Sequence, residues 1–168
     1  VRKNFIHFRN QDPDYYMILS GDQLYRMDLA HFFQNHLESG ADISVAVTPV
    51  SAEKCPHFGI LEVDPKGRIV RFVEKPQGSE QISDLKIPDT LRGELAGISP
   101  DREYLASMGI YIFTKGILKK ALDNEYTDFG KEIIPASLER GDKLVSYLFD
   151  DYWEDIGTIG AFYEANLA

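Results

Sequence analysis

The sequence predicts an α/β protein with a mixed, mostly parallel sheet and flanking helices. Residues 15–22 form an apolar run that stops at a carboxylate, and residues 43–48 form a second run rich in β-branched side chains. Both runs are typical of strands buried on both faces, as in a parallel sheet. The segment between them has helical periodicity. Strand, helix and strand together predict a βαβ unit, with the two strands paired in parallel through a right-handed crossover.

The predicted helix of this unit has a recognisable signal at each end. Asp28 is a favoured N-cap residue, and Gly40 supplies the C-terminal stop. Between these two residues one helical face carries most of the apolar side chains, together with one histidine. That face consists of Leu29, Phe32, Phe33, His36 and Leu37.

The rest of the chain predicts a hairpin, a long loop and a second set of strands and helices. Residues 59–64 and 68–74 alternate in polarity around a Pro-Lys-Gly turn, which predicts an antiparallel hairpin. The polar stretch at 77–103 predicts a loop of a length that is usually mobile or functional. The remaining predicted elements are a strand at 104–113, a helix at 117–122, a short helix at 129–138 interrupted by Pro135, a strand at 144–149 and a helix capped by Thr158.

Composition limits the classes of function. At 168 residues the chain can build one domain with a substantial core. Its net charge of −9 disfavours binding to nucleic acid or to an anionic membrane, because both need a basic face. No apolar run reaches membrane-spanning length and no signal peptide is visible. A lone Cys55 cannot form an internal disulfide, so we expect a cytoplasmic protein.

Two carboxylates are candidate metal ligands. In open α/β sheets, ligands bind beyond the carboxyl ends of the strands, and Asp22 follows the first predicted strand there. Asp155, which follows the one tryptophan closely, is a second candidate. Two aspartates meeting over one Mg²⁺ would indicate phosphate chemistry. The alternative for each is an ordinary turn aspartate, and the local sequence alone favours that alternative.

Residues 74–76, at the end of the predicted hairpin, could bind a sugar phosphate. Pro76 is expected to keep Lys75 extended. Lys75 could then neutralise a phosphate oxygen, and the carboxylate of Glu74 could accept hydrogen bonds from sugar hydroxyls. The alternative is a surface ion pair that contributes little.

Small residues next to strands give further candidates, each with a second interpretation. Ser107 could donate to a sugar or phosphate oxygen, or be a buried hydroxyl bonded to backbone. Gly109, within the same predicted strand, indicates close approach of a backbone or a ligand. Gly59 is either a bulge or a ligand contact. Lys131 could reach an anion or be a solvated helix residue.

Taken together, these segments resemble the sugar nucleotidyltransferases, and specifically glucose-1-phosphate adenylyltransferase (ADP-glucose pyrophosphorylase). Glu-Lys-Pro at 74–76 and Trp-x-Asp-x-Gly at 153–157 are common to the superfamily. Ser-Gly-Asp-Gln-Leu-Tyr at 20–25 and Asp-Phe-Gly-Lys at 128–131 are more specific to the ADP-glucose enzymes. The order of the segments also matches, and the resemblance spans essentially the whole chain.

The resemblance implies a nucleotide-diphospho-sugar transferase fold, which is Rossmann-like, and a reaction. By position, Asp22 and Asp155 match the carboxylates that hold the catalytic Mg²⁺, whereas Gly59, Glu74, Lys75 and Ser107 match contacts to glucose 1-phosphate. The implied reaction converts ATP and glucose 1-phosphate into ADP-glucose and pyrophosphate. Asp22, Asp155 and Lys75 are then the expected catalytic groups. The complete protein is expected to be a homo-oligomer, in the family a tetramer.

Two alternatives stay open from the sequence. The chain could belong to a sugar-1-phosphate nucleotidyltransferase that uses dTTP, UTP or GTP, or it could come from a regulatory subunit without catalysis. The resemblance also has gaps. The family's Gly-rich nucleotide loop, which ends in an arginine, has no match here, and neither has its C-terminal β-helix.

These gaps lead to three expectations about the chain as a whole. Residues 1–168 are expected to be the later part of a catalytic domain, incomplete at the N-terminus. Such a chain is expected to be inactive by itself. Its first strand is expected to have an unpaired edge.

Overall fold

The computed structural model describes residues 1–8, 10–95 and 97–167 as an α/β protein. The strands are β1 (Tyr15–Ile18), β2 (Gln23–Tyr25), β3 (Ile43–Val50), β4 (Gly59–Val63), β5 (Ile69–Glu74), β6 (Tyr104–Thr114), β7 (Leu144–Leu148) and β8 (Trp153–Asp155). The α-helices are α1 (Arg2–Phe8), α2 (Leu29–Ser39), α3 (Asp89–Arg92), α4 (Ile117–Leu122), α5 (Ile134–Glu139) and α6 (Ile159–Leu167). A π-helical turn, Phe129–Ile133, precedes α5.

The strands of the main sheet run in both directions. Within the described ranges the order is β5-β4-β6-β3-β7, with β1 also beside β6. β6 is antiparallel to β1, β3 and β4, β4 is antiparallel to β5, and β3 is parallel to β7. Consequently β1, β3, β4 and β7 point one way, and β5 and β6 point the other. The predicted α/β class with a mixed sheet and flanking helices is confirmed, whereas neighbouring strands in the described ranges pair mostly antiparallel rather than mostly parallel.

The first strand differs from its prediction. Within the run 15–22 the strand covers Tyr15–Ile18, and its side chains alternate between exposed and half-buried. β1 lies on one side of β6 and β3 lies on the other, so the predicted parallel pairing of these two strands is wrong. Rings from helices cover the apolar side chains instead: Tyr15 meets Phe33 at 5.1 Å between centroids, and Tyr16 meets Phe5 at 5.5 Å.

Other predicted strands, caps and turns are present, and local hydrogen bonds or dihedral angles account for the caps. Strand β3 is buried along its whole length, as expected for a central strand. The Asp28 carboxylate accepts from two N–H groups at the start of α2, at 2.9 and 3.0 Å, and Gly40 ends that helix in a left-handed conformation. The β4–β5 hairpin is present. Thr158 caps α6 by accepting from the Ala161 N–H at 3.1 Å.

Two other segments depart from their predictions. In place of a plain loop, the described residues 77–95 and 97–103 include α3 and short helical turns, and Ile82, Leu85, Ile87, Leu91 and Leu95 are buried. Apolar residues spaced along a polar segment thus anchor it to the core. The predicted helix at 129–138 is a π-helical turn followed by α5, and Pro135 lies in the first turn of α5, where a missing N–H costs little.

A bulge in β6 lies beside the turn at 20–22. The register with β3 passes from Val47 opposite Ser107 to Val45 opposite Tyr111, so β6 carries extra residues at this point. Gly109 lies inside the bulge with φ at +68°, a conformation that favours glycine. A Cβ on Gly109 would lie 3.8 Å from the Cβ of Ser20, so the bulge lies next to the turn that carries Asp22.

Candidate active site

A two-stranded ribbon brings the two predicted metal ligands together. Strands β2 and β8 pair antiparallel, with Gln23 opposite Asp155. Beyond this pair the Ile156 N–H donates to the Asp22 carbonyl oxygen at 2.9 Å. Both carboxylates approach Gly157: a Cβ there would lie 3.1 Å from Asp155 Oδ1 and 3.8 Å from Asp22 Oδ2. The fold therefore places side chains from distant parts of the sequence around one point.

Each carboxylate is oriented by a neighbour in its own turn. The Ser20 hydroxyl donates to Asp22 Oδ1, and the Gly157 N–H donates to Asp155 Oδ1 at 2.9 Å. Asp22 and Asp155 are both exposed to solvent. The turn role and the ligand role are thus compatible, because a carboxylate has two oxygens and several lone pairs.

The donor set suits a hard, partly hydrated cation. Across residues 1–8, 10–95 and 97–167, no group of three or more His, Cys, Asp or Glu side chains is placed to hold a metal ion. Mg²⁺ commonly uses one or two protein carboxylates and fills its other positions with water and substrate phosphate oxygens. The exposed pair Asp22 and Asp155 fits that pattern.

A second group surrounds the Glu74 carboxylate at the end of β5. Glu74 is paired with Gly59 across the hairpin. A Cβ on Gly59 would lie 2.7 Å from Glu74 Oε2, and a Cβ on Gly130 would lie 2.6 Å from the same oxygen. The carboxylate thus occupies a slot between two glycines, one on β4 and one in the π-helical turn. Gly59 is a regular ladder residue, so its interpretation as a bulge is wrong.

The electrostatics of this slot are unusual for a strand end. Burial raises the pKa of Glu74, and the nearby negative charge of Asp128 raises it further, whereas Lys75 and Lys131 lower it. A carboxyl with a raised pKa, flanked by charges of both signs, is characteristic of functional sites. Lys131 is therefore close enough to the slot to act on its charge.

Ser107 and Tyr111 extend the same group from β6. The Ser107 hydroxyl accepts from the Gly109 N–H at 3.3 Å and lies close enough to the Tyr111 hydroxyl to lower the pKa of that group. Burial raises the pKa of Tyr111 to about 12, and the charges of Glu74 and Asp128 add to this effect. The ring of Tyr111 stacks on Phe129 with centroids 5.4 Å apart.

Lys75 does not have the predicted extended backbone. Its φ is +46°, in the left-handed region that non-glycine residues rarely adopt. Two hydrogen bonds hold this conformation: the Lys75 N–H donates to the Phe58 carbonyl at 3.0 Å, and Gln77 Nε2 donates to the Lys75 carbonyl at 2.8 Å. These contacts override the preference that Pro76 gives to the residue before it. Such strain, about 1–3 kcal/mol, clusters at functional sites.

Aromatic packing connects the carboxylate ribbon to the sugar-phosphate candidates. Trp153 on β8 packs on Phe58, with ring centroids 5.1 Å apart. Phe58 directly precedes Gly59, and Trp153 lies two residues before Asp155. The carboxylate ribbon thus lies against the segment that leads into Gly59. Sequence reasoning did not single out Tyr111, Asp128 or Gly130, although all three lie within the segments that carry the family resemblance.

Comparison with known proteins identifies the class. Residues 2–168 match a family described as Nucleotidyl transferase, so the chain belongs to the nucleotidyl transferase family. Among its relatives is the chloroplastic/amyloplastic glucose-1-phosphate adenylyltransferase small subunit of Triticum aestivum, which is 42% identical over 170 residues. The match covers 99% of this chain and 36% of the Triticum aestivum protein, so the chain spans about a third of that relative's length. The family resemblance stated from the sequence is confirmed.

One expectation is overturned by this comparison. A cytoplasmic protein was expected from the lone Cys55 and the missing signal peptide, whereas the relative is named as chloroplastic/amyloplastic. A single cysteine does not distinguish one reducing compartment from another. Among the described residues, no helix has both the length and the apolar character needed to cross a bilayer.

Proposed function

We propose that this chain serves the transfer of AMP from ATP to glucose 1-phosphate, which yields ADP-glucose and pyrophosphate. The observation that carries the proposal is the approach of the Asp22 and Asp155 carboxylates to one point, on a ribbon whose Trp153 packs on Phe58, next to the Gly59–Glu74 pair. The name of the Triticum aestivum relative supports the choice of adenylyl and glucosyl groups over transfer from dTTP, UTP or GTP.

In the proposed reaction, a phosphate oxygen of glucose 1-phosphate forms a bond to the α-phosphorus of ATP while the bond to pyrophosphate breaks. Lys75 neutralises charge on the sugar phosphate, the Glu74 carboxylate accepts from sugar hydroxyls, and Ser107 donates to the same ligand. Gly59 leaves room for these contacts. No covalent enzyme intermediate is needed, so catalysis consists of positioning and charge neutralisation.

Asp22 and Asp155 are the residues that would hold Mg²⁺. When bound, the ion neutralises charge on the phosphate oxygens and orients them. The hydrogen bonds from Ser20 and from the Gly157 N–H keep the two carboxylates turned to one place, so little reorganisation is needed when a cation arrives. ATP and glucose 1-phosphate are the proposed substrates.

We also propose that the chain associates as a homo-oligomer, and that the complete protein is, by the family resemblance, a tetramer. Size-exclusion chromatography with light scattering tests this directly. A monomeric mass at every concentration would contradict it for this chain.

Binding of glucose 1-phosphate to the 168-residue chain tests the sugar side of the proposal. Calorimetric titration in Mg²⁺ buffer should show saturable binding of glucose 1-phosphate and weaker binding of glucose 6-phosphate. Glu74→Gln and Lys75→Ala should each weaken binding about tenfold or more, because each removes a charge-assisted contact. Lys119→Ala, on the exposed side of α4, is the matched control and should bind as the wild type does. Equal binding by all variants would contradict the assignment.

A segment exchange tests the reaction itself. The matching segment of the Triticum aestivum small subunit is replaced by this chain, and the product is assayed with glucose 1-phosphate and each of ATP, dTTP, UTP and GTP. ATP should be preferred, and Asp22→Asn or Asp155→Asn should abolish the activity. Preference for another nucleotide would favour a different transferase, and activity unchanged by both replacements would eliminate the metal role.

A further inference from the structure

Gly130 has no backbone reason to be glycine. It lies in the π-helical turn Phe129–Ile133, and it is not among the glycines with positive φ. An alanine can adopt its conformation, and in helical segments alanine is generally more stable than glycine. The residue type at this position therefore needs another explanation.

The explanation lies in the space next to its Cα. A Cβ on Gly130 would lie 2.6 Å from Glu74 Oε2 and 3.1 Å from Glu74 Cδ. The next nearest atom, Asp128 Oδ1, would be 3.6 Å away, an ordinary contact. A Cβ at this position would thus conflict with one group, the end of the Glu74 side chain. At Gly59, in contrast, a Cβ would also lie 2.3 Å from the Phe72 ring, so substitution there would disturb packing.

The turn that carries Gly130 is held against the core by the Phe129 ring, which stacks on Tyr111, and by the buried side chain of Ile133, and hydrogen bonds within the turn keep its shape. The Lys131 N–H donates to Asp128 Oδ1 at 2.8 Å. The Glu132 carboxylate accepts from the N–H groups of Thr127 and Asp128 at 2.8 and 3.0 Å. A side chain at Gly130 would therefore displace Glu74 rather than the turn.

We infer that Gly130 is a positioning residue for sugar-phosphate binding: the missing side chain lets the Glu74 carboxylate fill the slot between Gly59 and Gly130. This inference rests on the proposed function, because it takes Glu74 as the acceptor of sugar hydroxyls. Gly130 thereby joins the residues that shape the sugar-phosphate site, although it contributes no side-chain contact of its own.

The charges around the slot give a readout that does not depend on ligand. The charged and titratable groups that act on Glu74 are Asp128 and Lys131 at the π-helical turn, Lys75 next to it in the sequence and Tyr111 on β6. Burial and Asp128 raise the pKa of Glu74 in this position. A Glu74 side chain pushed out of the slot loses burial, so its pKa should fall towards the ordinary value.

The experiment compares Gly130→Ala, Glu74→Asp and the double variant in the 168-residue chain. Gly93→Ala is the matched control, since Gly93 is exposed, has φ at −62° and has open space where a Cβ would go. Each protein is titrated with glucose 1-phosphate, the Glu74 side chain is followed by ¹³C NMR against pH, and thermal unfolding is recorded.

Gly130→Ala should unfold at the wild-type temperature or above, yet bind glucose 1-phosphate about tenfold more weakly, with a lowered pKa for Glu74. In the Glu74→Asp background the shorter side chain leaves room for alanine, so the double variant should bind as Glu74→Asp does. Gly93→Ala should match the wild type throughout.

Three outcomes overturn the inference while the proposed function stands. They are wild-type affinity for glucose 1-phosphate in Gly130→Ala, a pKa of Glu74 that Gly130→Ala leaves unchanged, and a double variant that binds more weakly than Glu74→Asp by the same factor that Gly130→Ala shows alone. Failure of the wild-type chain to bind glucose 1-phosphate would instead overturn the proposed function, and the sugar role of Gly130 with it.

Discussion

The backbone N–H of Ile156 donates to the carbonyl oxygen of Asp22 at 2.9 Å, and this bond closes the ribbon on which both acidic ligand candidates lie. Backbone pairing thereby fixes the position of Asp155 relative to Asp22, before any contact between their side chains. A site built on paired strands is held more precisely than one built on loops.

Cation binding should depend on both members of this pair. We expect Mn²⁺, used as a paramagnetic probe for Mg²⁺, to bind the 168-residue chain, and Asp22→Asn or Asp155→Asn each to weaken binding about tenfold or more, because an amide is a poorer ligand for a hard cation. Water proton relaxation measures the affinity. Glu154→Gln is the control, since Glu154 is the exposed neighbour of Asp155 on the same strand. If Glu154→Gln weakened Mn²⁺ binding as much as the two aspartate variants, the general negative charge of the surface, and not a specific site, would explain the binding.

The pH dependence of sugar-phosphate binding should report on Asp128. Because the pKa of Glu74 is raised, its carboxylate becomes protonated, and a weaker acceptor, at a higher pH than an ordinary glutamate. Affinity for glucose 1-phosphate should therefore fall on acidification, and Asp128→Asn should move that fall to lower pH. Asparagine retains the N-cap role, so the turn should persist.

Calorimetric titrations across pH measure this shift. Asp89→Asn, in the first turn of α3, serves as the charge control and should leave the profile unchanged. Identical profiles for the wild type and Asp128→Asn would contradict the electrostatic coupling.

The strained backbone of Lys75 predicts a difference between two replacements. Lys75→Gly relieves the left-handed conformation and Lys75→Ala retains it, so the glycine variant should be about 1 kcal/mol more stable than the alanine variant. Both should lose affinity for glucose 1-phosphate, because both lose the ammonium group. Urea unfolding gives the stabilities, and equal values would indicate that the conformation carries no strain.

A buried histidine predicts loss of stability in acid. His36 Nδ1 lies 2.7 Å from the Ser44 hydroxyl, and Nε2 lies 2.9 Å from Thr114 Oγ1. Thr114 donates to the Ala41 carbonyl at 2.8 Å, so Nε2 carries the proton and Nδ1 accepts from Ser44. This network uses a neutral ring. Burial lowers the pKa of His36 from 6.5, although Asp42 partly opposes this.

Because the folded-state pKa is the lower one, the unfolded chain binds the proton more readily. The stabilising effect is therefore present above pH 6.5 and is lost as pH falls towards the folded-state pKa. The free energy of unfolding should decrease between about pH 7.5 and about pH 5.5, and decrease less in His36→Gln. His7→Gln, at an exposed position on α1, should behave as the wild type. A decrease of equal size in His36→Gln would assign the acid sensitivity to other groups.

Local signals in the sequence predicted local structure well. Asp28 and Gly40 mark the ends of α2, because each acts through hydrogen bonds or dihedral angles within a few residues. The Pro-Lys-Gly turn predicted the β4–β5 hairpin for the same reason. The approach of Asp22 to Asp155 was predicted from the family resemblance, because no local pattern connects them.

Long-range packing explains what the sequence did not reveal. The apolar run before Asp22 has the composition of a central strand, but helices cover it and β6 separates it from β3. Lys75 is left-handed because Phe58 and Gln77 hold it, and neither influence is visible in a Lys-Pro pair. The slot around Glu74 depends on Gly130, a residue far along the chain that contributes nothing but room.

Strand β1 pairs with β6 along one side, and within the described part of the chain its other side has no partner strand. Strands bonded on one side open locally at lower free energy than those bonded on both. Asp22 follows this strand closely, so the acidic pair is joined to a segment of the sheet that should exchange its amide hydrogens early. A cation that binds both Asp22 and Asp155 stabilises the state in which β1 is paired with β6. Amide hydrogen exchange in β1 should therefore slow as the cation concentration rises.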